Sequence, residues 1–188
     1  MDYNFWKDRY KDSWNKAAKK EKMVIELIES RTGQKVELCG LGAGSNDYLS
    51  GSASDYNFTK GDADLHIEDS DFFIEVTGPN IKVNPSDALW IRPDKIQNAL
   101  KKMEKGIGKG HFIIHVIERK DNSQTMLRVI PISPELMNFP TIHPSIRGTR
   151  ETYKEIPATY DGIISIEDFV AMVLNRYNKK LYSSSAFT

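Results

Sequence analysis

Two short segments near the middle of the chain constrain its fold more than any other feature. Ala63, Leu65 and Ile67 alternate with Asp62, Asp64 and His66; beyond Asp69-Ser70, Phe72, Ile74 and Val76 alternate with Phe73, Glu75 and Thr77. A period of two belongs to a strand with one apolar and one polar face. With Asp69-Ser70 as a two-residue turn, the hairpin register is fixed. Glu68 then faces Asp71, Ile67 faces Phe72, Leu65 faces Ile74, Asp64 faces Glu75 and Asp62 faces Thr77. Two carboxylates thus oppose each other on one face of short strands, where like charges repel. A bound divalent cation turns that repulsion into a ligand set, and hard oxygen donors of this kind suit magnesium or manganese.

The elements around the hairpin predict a single α/β domain over residues 1–188, with a central mixed sheet flanked by helices. Trp6, Tyr10, Trp14, Ala17, Glu21, Val24 and Ile28 recur at helical steps along one stripe, and Gly33 is a stop. Glu21 lies inside that stripe, and a carboxylate on an apolar face is costly unless something pairs with it. A strand is expected from Val36 to Leu41, then a loop from Gly42 to Gly61. After Gly78-Pro79 comes an irregular segment, then a helix opened by Pro93 and closed by Gly106, with Ile96, Leu100 and Met103 as its apolar side. Phe112–Ile117 reads as a central strand and Met126–Ile132 as another. Residues 131–162 hold five prolines and little periodicity, and read as a long loop. Ser165 and Asp168 form a capping box for a last helix running to about Asn178, followed by a frayed Ser183-Ser184-Ser185 tail.

Composition narrows the class. The 26 basic and 26 acidic residues cancel, but residues 36–75 carry nine carboxylates against one lysine, between two basic flanks. An acidic centre between basic surfaces suits a metal cluster presented to a polyanion. No apolar run approaches the roughly 18 residues of a spanning helix, and the first residues do not read as a signal peptide. With Cys39 as the single cysteine, a cytoplasmic protein without disulfides, off the membrane, is expected. Cys39 itself reads as a small buried residue, and His111, His115 and His143 as structural or substrate-facing rather than zinc ligands. Gly40-Leu41-Gly42-Ala43-Gly44-Ser45 lacks the lysine and spacing of a phosphate-binding loop.

On these residues, the stretch from about residue 15 to 117 resembles the restriction-endonuclease-like, PD-(D/E)XK nuclease family. The core of that family runs helix, three-stranded meander, helix, strand. The resemblance implies a helix glutamate at Glu21, a strand aspartate at Asp64 and a strand glutamate at Glu75 as the metal-holding catalytic acids, with the Val76 carbonyl as a further ligand. Two departures stand out: Thr77 occupies the position of the family's lysine, and no proline precedes Asp64. Lys82 is the favoured replacement cation and Lys95 the other, with Asp62, His66, Thr77, Arg92 and Gln97 near the metal or the substrate. The implied activity is magnesium- or manganese-dependent hydrolysis of nucleic-acid phosphodiesters, DNA first, or nucleic-acid binding by a decayed relative. The resemblance also implies a homodimer, with two sites for two strands. Arg92, Lys95, Lys101, Lys102, Arg147, Arg150 and Lys154 are candidate phosphate contacts, and Tyr153 and Tyr160 candidate stacking surfaces.

Two other readings stay open on sequence. Gly51-Ser52 followed by Asp62-Ala63-Asp64 is similar to a nucleotidyltransferase signature, which requires a helix between Ser52 and Asp62. A protein-interaction module without enzymatic activity predicts instead that the 131–162 segment buries against a partner.

Overall fold

The computed structural model describes residues 3–39, 63–121, 124–146 and 148–185, with side chains between residues 15 and 180. Helix α1 spans Tyr3–Thr32 and stops where Gly33 turns to φ +68°, a left-handed geometry that glycine adopts without a Cβ clash. Its stripe lands as the periodicity requires, with Val24 and Ile28 1% and 0% exposed. The Trp6, Tyr10 and Trp14 side chains lie outside the described residues.

Five strands make the main sheet: β1 (Val36–Leu38), β2 (Leu65–Ile67), β3 (Phe72–Thr77), β5 (Gly110–Ile117) and β6 (Met126–Pro131), in the order β1-β2-β3-β5-β6. All neighbours are antiparallel except β3 and β5, which run parallel, so the sheet is mixed. The hairpin register is the one the alternation demands, with Leu65 opposite Ile74 and Ile67 opposite Phe72. Its turn differs: residues 68–71 form a four-residue loop, closed by the Asp71 N–H on the Ile67 carbonyl at 2.9 Å, with Asp71 at φ +58°. Because the register sum is unchanged, the faces are unaffected.

The two faces of the sheet are buried by different partners. Leu65, Ile74, Phe112, Ile114 and Val129 pack on Val24 and Ile28 of α1 and on Phe169 and Val173 of α3 (Ile166–Ser185). Ile113 and Ile130, on the reverse face, pack on Ile96 and Ala99 of α2 (Pro93–Glu104). Helix α2 begins at Pro93 as expected, but Ala99 rather than Met103 completes its buried side; Met103 is 40% exposed. Helix α3 starts at the anticipated cap, where Ser165 Oγ accepts the Asp168 N–H at 3.0 Å, and runs on to Ser185.

Segment 131–162 is not a structureless loop. It holds a 3-10 turn at Pro134–Asn138 and short strands β7 (Thr141–Ile142), β8 (Ser145–Ile146), β9 (Thr149–Arg150) and β10 (Tyr153–Ile156). Strand β10 pairs with β7 and with β4 (Leu89–Ile91), inside the stretch read as irregular, and β8 pairs with β9. This second sheet seals the reverse face through Leu89, Ile91 and Ile156. The architecture is a mixed sheet flanked by helices. Among the described residues, no helix is long and apolar enough to cross a membrane.

Candidate functional site

The pairing of β2 with β3 ends at Leu65 and Ile74, and the Asp64 N–H still reaches the Ile74 carbonyl at 3.0 Å. Among the described residues no strand pairs with β3 on this side beyond that point, and its next N–H, at Val76, is taken by the Asp64 carboxylate: Val76 N to Asp64 Oδ2 is 2.8 Å. The Glu75 carboxylate stands on the same face, one residue along β3 from that N–H. Asp64 and Glu75 therefore meet on the face that α2 covers.

From α2 comes the cation. Lys95 Nζ lies 2.7 Å from Glu75 Oε2 and 3.8 Å from Asp64 Oδ1, with its side chain 20% exposed. Pro93 sets the start of the helix, so its first turn lies over Glu75 and Lys95 points down to the sheet. Thr77 is half-buried opposite His115 on β5. Lys82 is exposed, in a segment that leaves the sheet after Gly78-Pro79 and bridges to β5's end through Val83 and Arg119. Lys95, and not the sequence-nearer Lys82, reaches the carboxylates.

Burial governs the electrostatics. Desolvation is the largest influence on Glu75 and, with the neighbouring Asp64 charge, pushes its carboxyl up to about 8 against the opposing pull of Lys95 and Arg92. Asp64 is likewise raised, by desolvation first, although Lys95 and the Val76 N–H favour its anion. The attraction of both carboxylates outweighs desolvation at Lys95, whose ammonium is stabilised. With its carboxyl raised to about 8, Glu75 favours its protonated form at neutral pH, beside a lysine that keeps its charge.

The remaining expected residues are spread around this centre. Glu21 is 3% exposed on α1, whose stripe packs on the opposite face of the sheet. Among the described residues, no three His, Cys, Asp or Glu side chains form a group able to hold a metal, so the geometry gathers a carboxylate pair. Val76 presents its N–H, and with it its carbonyl, to the Asp64 side of β3. His66 shares the face of Glu75 but binds Asp71 Oδ1 at 3.1 Å and stacks on Phe73, towards the turn. Arg92 pairs with Asp94, and both line a groove of about 580 Å³ with Gln97, Thr149, Glu151 and Thr152. Gly51, Ser52 and Asp62, the other nucleotidyltransferase positions, and Arg147 lie outside the described residues. Cys39 is half-buried and donates to the Ala63 carbonyl at 3.3 Å.

Unforeseen in the sequence was Lys20. It is 8% exposed and donates to the Gly78 and Pro79 carbonyls, each at 2.8 Å, and to Asn80 Oδ1 at 3.3 Å. The lysine thereby ties α1 to the chain leaving β3. Its helical position beside Glu21, on the boundary of the apolar stripe, was the available signal.

No family model matches this chain, and no curated protein matches it significantly in sequence. The site is defined by its geometry: an α/β domain with a carboxylate pair on adjacent strands and a lysine delivered from the following helix.

Proposed function

We propose that this chain is a magnesium- or manganese-dependent nuclease of the PD-(D/E)XK kind, in which the lysine of the motif is supplied by α2. The observation that carries the reading is the meeting of Asp64, Glu75 and Lys95 where β3 outruns β2. The helix–hairpin–helix–strand order, with β3 and β5 parallel, agrees with that family's core.

The donor set fits a hard cation. Two buried carboxyls, drawn together and already attracting an ammonium, form a site that favours positive charge, and the Val76 carbonyl lies on the same side. Magnesium is commonly held by one or two carboxylates with water completing its shell, so a pair suffices. Asp64 and Glu75 would hold the ion, which supplies charge neutralisation at phosphate and a water of lowered pKa. To hold the ion, Glu75 would have to be in its ionised form, which burial disfavours in the unliganded protein. Lys95, held against the pair, is placed to orient the attacking water and to stabilise charge growing on a phosphoryl oxygen. Helix α2 and the second sheet fix these groups, so little reorganisation accompanies the reaction.

The test is incubation of supercoiled plasmid and of single-stranded nucleic acid with manganese, then magnesium, without nucleoside triphosphate. Cleavage is expected from the native chain and its loss from Asp64→Asn and Lys95→Met, each with unchanged circular dichroism. Equal nicking by Asp64→Asn would remove the assignment.

A further inference from the structure

A groove of about 590 Å³ lies between the hairpin turn at residues 68–71 and the later part of α3. Its two walls are tied together. Buried Gln34 accepts the Ser70 N–H at 3.2 Å and donates from Nε2 to the Val173 carbonyl of α3 at 3.3 Å. Lys180 Nζ pairs with Asp69 Oδ1 at 3.1 Å, helix to turn. The turn is itself held, by the Asp71 N–H on the Ile67 carbonyl and by the Lys109 N–H on the Asp71 carbonyl at 2.7 Å. The groove is thus formed in advance of any occupant.

The carboxylates that border it have partners of their own. Asp69 holds Lys180, Asp71 accepts from His66 Nε2 at 3.1 Å, and Glu68 exerts its charge on Lys35. The remaining cations differ. Among the described residues, Lys109, Arg176 and Lys179 line the groove, are exposed and make no ion pair. Arg176 and Lys179 stand three apart on one face of α3, and Lys109 comes from the start of β5. Three uncompensated positive charges from two elements therefore border one groove. A second and independent sign lies at its base. Ser70 lines the groove, is 0% exposed, and its Oγ has no hydrogen-bond partner among the described residues. Buried hydroxyls are nearly always paired, because an unpaired one has given up its hydration without return.

We propose that this groove binds the phosphate group of a small phosphomonoester, with Lys109, Arg176 and Lys179 around its oxygens and the Ser70 hydroxyl donating to one of them. A guanidinium fork matches two phosphate oxygens. Donors from three separate elements, the turn, the start of β5 and α3, suit a tetrahedral dianion better than a flat carboxylate. The groove is larger than a phosphate and within the range of about 300–1,000 Å³ usual for small-molecule sites, which leaves room for the organic part of the ester. The site is independent of the nuclease reading and stands whether or not the chain cuts nucleic acid.

The experiment is calorimetric titration of the full chain at low salt in EDTA, which keeps metal from the carboxylate pair. The probes are inorganic phosphate, adenosine monophosphate, adenosine and an unphosphorylated oligothymidylate. Saturable binding of phosphate and of the monophosphate is expected, with Kd about 1 mM or below, and none of adenosine. Arg176→Gln should weaken both about tenfold or more, and Ser70→Ala about fivefold. Ser70→Ala removes an unpaired buried group and should melt no lower than the native chain, which shows that its loss of binding is local. Lys22→Ala, at an exposed lysine paired with Glu26 on α1, should bind as the native chain does. Absence of saturable binding by phosphate and monophosphate, a monophosphate no tighter than adenosine, or binding that Arg176→Gln and Ser70→Ala leave unchanged would overturn the site. Binding of the oligothymidylate alone, sensitive to Arg176→Gln, would overturn the small-molecule occupant.

Discussion

Replacing Glu75 with glutamine should make the unliganded protein more stable while ending cleavage. Glutamine has the shape of protonated glutamic acid and can still accept from Lys95, but it cannot ionise. In the native protein, burial and Asp64 raise the Glu75 carboxyl from an ordinary 4.5 to about 8. Over that interval the folded state holds a proton that the unfolded chain has released, so stability falls as pH rises from about 4.5 and levels off above about 8. At about 1.4 kcal/mol per pH unit the full loss is about 5 kcal/mol, of which about 2 kcal/mol falls between pH 6.5 and 8. The upper part of the interval is the cleaner window. Buried His115, held down to about 3 by desolvation and by the Arg128 and Lys20 charges, opposes the trend below pH 6.5, where only the unfolded chain protonates it. Urea unfolding from pH 6.5 to 9 reads the effect directly. The native protein should lose about 2 kcal/mol relative to Glu75→Gln between pH 6.5 and 8, and the gap should stop growing above pH 8.5. Parallel pH dependences, or a variant weaker than native at pH 8.5, would refute a Glu75 carboxyl raised by burial and Asp64.

Lys95→Met leaves two buried carboxyls without their cation, which should cost about 3 kcal/mol at pH 8 and under about 1 kcal/mol at pH 5, where protons replace the ammonium. Urea melts at the two pH values check this, and a pH-independent loss would contradict it. Gly78→Ala tests the turn at the end of β3. Gly78 has φ +152°, and a Cβ there would collide with the Val116 carbonyl oxygen, a backbone atom of a central strand. A loss of about 3 kcal/mol or more is expected, read by thermal melting; a native melt would mean the turn is free to shift.

Much of this fold is legible in the residues because a few patterns are strong. The hairpin register follows from apolar alternation alone: a one-residue slip would have turned Leu65, Ile67 and Ile74 to the wrong face, so the register survived even though the turn had four residues rather than two. Val24 and Ile28, Pro93, and the Ser165–Asp168 box behaved similarly, since each is a local rule that packing reinforces. The second sheet was not legible, because strands of two to four residues such as β7 and β10 have no periodicity to read and depend on partners distant in sequence.

At the site, the Asp64–Glu75 encounter follows from register, whereas the choice of cation depended on three-dimensional return. Lys82 is closer in sequence to Glu75, but its segment is drawn over the sheet's end by Arg128, which donates to the Pro85 and Asp87 carbonyls. Lys95, twenty residues from Glu75, is folded back by α2. Glu21 satisfied the stripe and is buried, yet α1 lies against the reverse of the face that bears the pair. Helical periodicity shows that a side chain is inward, not which face of a sheet it meets.

Calorimetric titration of manganese at pH 7, repeated in buffers of different ionisation enthalpy, examines the carboxylate pair as a metal centre without relying on turnover. One ion should bind the native chain with release of about one proton, from the raised Glu75 carboxyl, and Glu75→Gln should bind more weakly and release none. Absence of manganese binding, or binding that frees no proton and is indifferent to Glu75→Gln, would contradict the account.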